Sequence, residues 1–130
     1  MAIHVVRLGL PRAPSEGVRL GTVRRPPRGV RKEDFSRRDF YDVWVPELAP
    51  SAPLASWAMS TTFTDARWAQ FRRRYLAEMK RPAAVHLIGL LAALSASANF
   101  SVGCYCENPS RCHRSLLRRL LADAGATLVD

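Results

Sequence analysis

The chain has 130 residues, 48% hydrophobic and 24% charged, with a formal net charge of +9. That length suits one domain with one modest core and leaves no room for two. Its longest apolar run, Ala83 to Leu94, is broken by His86 and Gly89 and falls short of the roughly 20 residues of a membrane span, so no membrane partner is expected. Met1-Ala2-Ile3-His4-Val5 is not a signal peptide. Three cysteines in one cluster lack the spacing of a disulfide framework, which points to the reducing cytoplasm. Nearly all the positive charge is arginine, since only Lys32 and Lys80 are lysines. Guanidinium forks suit phosphates and carboxylates, so a nucleotide, a nucleic acid or another phosphate-bearing partner is the expected ligand class. A solvated basic surface accounts for the same charge without any ligand.

Ile3 to Leu8 reads as a first strand, with Val5 and Val6 β-branched. Pro11 to Gly17 is rich in turn residues. Val18 to Val23 reads as a second strand, weakened by Gly21. Arg24 to Lys32 is an arginine-rich loop stiffened by Pro26 and Pro27, and Arg28 within it is a candidate phosphate ligand. Glu33 to Arg38 reads as one helical turn. Phe40 to Val45 reads as a strand stopped by Pro46. Ser51 is placed to cap a helix beginning at Ala52, and Thr64 to cap Asp65 to Lys80. In the latter Trp68, Phe71, Tyr75 and Met79 form a core stripe. Arg72 lies within that stripe and is expected to snorkel to its edge or to meet a buried acid. Pro82 opens a helix, Ala83 to Ala98, apolar nearly all round and so expected to be buried, with His86 as a core histidine. From Trp44 onward strands alternate with helices, which favours crossover connections. The predicted fold is a single small α/β domain over 1–130, with a mostly parallel central sheet flanked by helices.

The chemistry concentrates between Phe100 and Leu121. Alternation puts Phe100, Val102, Cys104 and Cys106 on one face of a strand. Asn108 is placed to cap a helix with Pro109 at its first position. Cys112, Leu116, Leu117, Leu120, Leu121 and Ala124 then form an apolar stripe that includes His113, with Arg111, Arg114 and Arg118 opposite. Gly125 is placed to end this helix, and Thr127 to Val129 reads as a short last strand. Where a parallel strand ends and a helix begins, free backbone N–H groups and the helix dipole favour an anion. Asn108, Arg111 and Arg114, joined by Arg28, are the candidate anion-binding residues. Cys106 is the candidate nucleophile, facing a helix N-terminus, with His113 as its base. Glu107 opposes thiolate formation and is expected to pair with one of these arginines or with His113, orienting the imidazole. Cys104, Cys106, Cys112 and His113 are also zinc-type ligands. No C-x-x-C spacing occurs, however, and helical neighbours at 112 and 113 would point about 100° apart, so neither a metal nor another cofactor is predicted.

Several segments together resemble the domain-of-unknown-function family 488, in its YeaO-like branch. They are Pro27-Arg28-Gly29-Val30 with Lys32-Glu33, Leu48-Ala49-Pro50-Ser51 with Trp57, and Trp68, Phe71, Arg73-Arg74-Tyr75 and Glu78-Met79. The last are Cys106-Glu107 with Cys112-His113-Arg114. The resemblance implies a compact α/β domain of a bacterial cytosolic protein and supplies no mechanism. The expected function is an anion- or phosphate-binding crevice. A cysteine-dependent hydrolase or transferase using Cys106 and His113 is the alternative, and a non-catalytic interaction module is the third. Oligomeric state is not legible in the sequence.

Overall fold

The computed structural model describes residues 1–60, 62–108 and 111–129. Four strands, β1 (Ile3–Arg7), β2 (Val18–Gly21), β3 (Val43–Trp44) and β4 (Phe100–Cys104), pair in the order β1-β4-β2-β3. Every pairing is parallel. The helices are α1 (Ala52–Met59), α2 (Asp65–Glu78), α3 (Pro82–Leu94) and α4 (His113–Asp123). The chain is therefore a single small α/β domain, as its alternating pattern predicts. No described helix is long and apolar enough to cross a membrane.

The middle position of β4 follows from its composition. All five of its residues are buried, and parallel strands covered on both faces carry little polar surface. Register places Ile3, Phe100 and Val18 side by side, then Val5, Val102 and Leu20. Apart from Val18, which is exposed at the strand start, these side chains meet all four helices in one core built around Leu54, Phe71, Tyr75, Ile88 and Leu117. The opposite face carries His4, Ser101 and Arg19, then Val6, Gly103 and Gly21. It is covered by irregular chain rather than by helices. A Cβ on Gly21 would lie 2.4 Å from the Tyr41 ring, and one on Gly103 would lie 2.8 Å from Leu8. Only glycine allows these segments to lie so close to the sheet.

That face also holds a buried ion pair. Arg19 is 1% exposed, and its Nε donates to Oε1 of Glu16 at 2.8 Å. Its remaining N–H groups reach the carbonyls of Leu10, Asp39 and Pro11. Glu16 also accepts from the Ala13 amide at 2.6 Å and from the Ser101 hydroxyl at 3.3 Å.

Several expectations are corrected. The strand expected over Phe40 to Val45 shrinks to Val43–Trp44, because Tyr41 turns inward against Gly21 and Asp39 takes a φ of +63°. Helix α3 buries only the side bearing Ala84, Ile88, Leu91 and Ala92. His86 lies on its exposed side, beside Val85, Leu90 and Leu94, and is not a core histidine. Of the two placements expected for Arg72, it takes the exposed one. The expected last strand is a single parallel bridge, Ile3 to Leu128.

Candidate functional site

A cavity of about 390 Å³ opens beyond the C-terminal ends of β2 and β4, where ligands of open parallel sheets collect. Its walls are mostly apolar, from Val23, Pro50, Ala55, Ala58, Phe63 and Phe71. Arg24, Arg25 and Arg111 contribute the arginines. All three cysteines and His113 also line it.

Local structure explains why the thiols converge. Cys104 is the last residue of β4 and is 1% exposed. Cys106 lies two residues past the strand end, where the chain turns outward and exposes it. Cys112 is the N-cap of α4, with φ −128° and ψ 150°. This extended backbone turns its side chain toward the strand end rather than along a helical face. The Cys104 and Cys112 sulfurs lie 2.8 Å apart, and all three Sγ atoms fall within 4.8 Å of one another.

His113 is held by its far nitrogen. Nε2 lies 2.6 Å from the Thr22 carbonyl, and a carbonyl only accepts, so Nε2 carries the hydrogen. Nδ1 is then the bare nitrogen, 3.7 Å from Cys112 Sγ. The ring packs against Tyr75 with centroids 5.5 Å apart. Burial pushes its pKa below the ordinary imidazole value, so it is neutral at pH 7.

The three thiols divide their charge unequally. Hydrogen bonds from Cys104 and Cys112, against the cost of burial, bring Cys106 down to about 3, helped by the positive charge of Arg114. The same sharing with Cys106 raises Cys104 to about 11, and the bonds to both neighbours raise Cys112 further still. This sharing makes Cys106 the favoured site of negative charge among the three. It is also the exposed thiol, where a charge costs least to solvate.

The candidate anion ligands do not converge. Arg111 turns toward α2, donating to the Phe63 carbonyl at 2.9 Å and pairing with Asp65. Arg114 does not lie on a solvent face. It is 5% exposed, and Nη2 donates to the Cys106 carbonyl at 3.3 Å. Among the described residues its buried Nε has no hydrogen-bond partner. It lines a separate groove of about 740 Å³ with His4, Arg7, Glu107 and Arg118. Arg28 is exposed and borders neither the cavity nor this groove. Asn108 is not the cap of α4. The helix begins four residues later than expected, at His113, because Cys112 is extended, and the Asn108 carbonyl instead closes a turn by accepting from Arg111 N at 3.3 Å. Pro109 lies outside the described residues.

Of the three candidate catalytic residues, Cys106 and His113 share the cavity. Glu107 does not border it; its carboxylate is 84% exposed and pairs with Arg7 at 3.5 Å rather than with His113 or a cavity arginine. Sequence reasoning missed the Thr22 carbonyl, because a backbone acceptor leaves no mark in residue type. It also missed Arg24 and Arg25 as cavity residues, although both belong to the basic loop that composition singles out.

No match is found among curated proteins or solved structures. The family model DUF488-N3a, described as the active DUF488-N3 subclade, matches residues 3–125. That span runs from the first residue of β1 past the end of α4 and includes every thiol of the cavity, and by it the chain belongs to the DUF488-N3a family.

Proposed function

We propose that this protein is a cysteine-dependent hydrolase or transferase, with Cys106 as nucleophile, acting on an acidic substrate whose apolar part fills the cavity. One observation carries the reading. The single exposed thiol of the chain sits at a cavity, among two buried S–H donors that favour its thiolate. Attack by Sγ on an electrophilic centre forms a covalent thio-intermediate and expels the leaving group. Water or an acceptor then displaces Sγ and restores the thiolate. His113, neutral and held through Nε2 by the Thr22 carbonyl, backs the thiols rather than meeting the substrate itself. Arg25, exposed and without an ion pair among the described residues, and Arg24 give the cavity the positive charge an acidic substrate needs. The description of the matching subclade as active agrees with a catalytic role.

Alkylation by iodoacetamide, mapped by mass spectrometry, tests this. Cys106 should react at a nearly constant rate between about pH 5 and 8, whereas an ordinary thiol slows roughly tenfold per unit below its pKa of about 8.5. Phosphate esters should protect it. A rate that falls tenfold per unit across that range refutes the thiolate.

A second, non-catalytic reading rests on Arg114. Its buried guanidinium has an Nε without a partner and borders the basic groove, which favours a phosphate or nucleic-acid backbone there. Phosphate titration followed by NMR should shift the amides of Asn108 and Arg111 to Arg114. Arg114→Ala should weaken binding about tenfold, roughly 1.4 kcal/mol. Shifts confined to distant amides count against it.

A further inference from the structure

We propose that Cys104, Cys106 and Cys112 form a three-thiolate site for one soft metal ion of the zinc class, with a fourth coordination position facing the cavity. Sequence spacing puts residues 112 and 113 both on a helix and so speaks against a metal. Cys112 is instead an extended N-cap, and its sulfur joins the other two.

The dimensions suit an ion. Zinc–thiolate bonds of about 2.3 Å in a tetrahedral site place sulfurs about 3.8 Å apart. The three sulfurs here lie within 4.8 Å of one another, with Cys104 and Cys112 at 2.8 Å. Seating an ion requires that closest pair to part by about 1 Å. Cys106 stands outside the strand, two residues past its end.

The surroundings suit the charge. Three thiolates and a divalent ion leave one negative charge. The N-cap of α4 makes no side-chain capping bond, so the N-terminal amides and dipole of this 11-residue helix face that charge. Arg114 donates to the Cys106 carbonyl with its Nε unpaired, which puts a buried positive group beside the cluster. His113 lies outside the ligand set, its Nε2–H held by the Thr22 carbonyl. All-sulfur ligands select zinc, cadmium or copper(I) over magnesium, calcium or manganese. The cavity supplies the entry path.

This inference does not rest on Cys106 being a nucleophile, although a bound ion would occupy that thiolate. The whole chain, purified under reducing conditions and stripped with a chelator, is titrated anaerobically with cobalt(II) and then zinc. The expected result is one cobalt per chain, with sulfur-to-cobalt charge transfer in the near ultraviolet and the intense visible bands of a tetrahedral ion. Equimolar zinc should bleach both. Cys104→Ser should weaken cobalt binding at least tenfold, and Arg119→Ala, on the exposed side of α4, should leave it unchanged. Should the serine variant fail to fold, unmodified protein gives the second readout: equimolar zinc should slow Cys106 alkylation at least tenfold, and chelator should restore it. Cobalt that binds without the charge-transfer band, or zinc that leaves Cys106 alkylation unaltered, overturns the site. The alkylation profile of metal-free protein tests the nucleophile separately, so either reading can fail alone.

Discussion

Replacing Arg19 with methionine tests how the uncovered sheet face is held. The substitution keeps the length and apolar stem of the side chain and removes its charge. Arg19 is 1% exposed and Glu16 4%, so neither charge has water to fall back on. The lost bonds run to both Glu16 oxygens and to the carbonyls of Leu10, Asp39 and Pro11. Glu16 would keep only the Ala13 amide and the Ser101 hydroxyl. Removing one member of a buried ion pair costs about 3–5 kcal/mol, because the other charge is left uncompensated. In the wild type, burial raises the Glu16 pKa, but Arg19 and the Ala13 amide outweigh it and hold it below the ordinary value. In Arg19→Met the balance reverses, so the carboxyl should take up a proton on folding and the deficit should shrink as pH falls toward about 5. Urea denaturation of Arg19→Met, Glu16→Gln and the double variant measures each quantity. The double variant should recover at least about half the loss, since the pair shares its partners. A single-variant cost below about 1 kcal/mol, or strictly additive losses, would refute the reasoning.

Phe71 is 4% exposed and stacks between Trp68 and Tyr75; Phe71→Ala should cost about 3–5 kcal/mol by chemical denaturation, and a change within error would place the stripe outside the core. Gly21→Ala should cost about 1–3 kcal/mol, because its Cβ would meet the Tyr41 ring at 2.4 Å; pairing it with Tyr41→Leu should recover part of the loss. His113 has a lowered pKa in the fold, so below about pH 6.5 the unfolded chain binds a proton that the native state refuses. Stability should therefore fall with pH there, by up to about 1.4 kcal/mol per unit. The depressed Cys106 adds a slope of the same sign from about pH 8.5 downward; the His113 share is the extra steepening below about pH 6.5, and it should vanish in His113→Gln.

Features governed by local rules were legible in the sequence. Ser51 and Thr64 accept from the amides of Leu54 and Arg67 as N-caps should, and Gly125 takes a φ of +94° just beyond α4. The family and the α/β class follow from order and alternation along the chain. Features set by tertiary placement were not legible. Apolar periodicity around α3 cannot say which side meets the sheet, so by sequence alone His86 falls in the core, whereas in the fold it is exposed. Charge predicts exposure for arginine, and Arg19 and Arg114 defy it because backbone carbonyls reach them inside the fold. At the site, the sequence pairs Cys106 with His113, and the two share the cavity. The place of Cys112 beside them depends on one extended residue, which no spacing rule encodes. Sequence proximity points to Glu107 and composition to Arg28, and neither measures distance across a sheet.

The position of β4 also governs how the chain reaches its fold. Among the described residues β1 pairs with no strand other than β4, and β2 has only the two-residue β3 besides it. Nothing can join Ile3–Arg7 to Val18–Gly21 until Phe100–Cys104 has been synthesised. Helices α1 to α3 are made earlier, but the sheet face that completes their shared core is absent until then. Native pairing must close loops of 97 residues between Ile3 and Phe100, and 82 between Val18 and Phe100, by subtraction of their numbers in the register. Such separations slow folding and leave apolar helix faces open in the interval. A nascent chain of this protein thus keeps those faces uncovered until its central strand emerges, and truncation before Phe100 leaves of the sheet only the short β2–β3 pair.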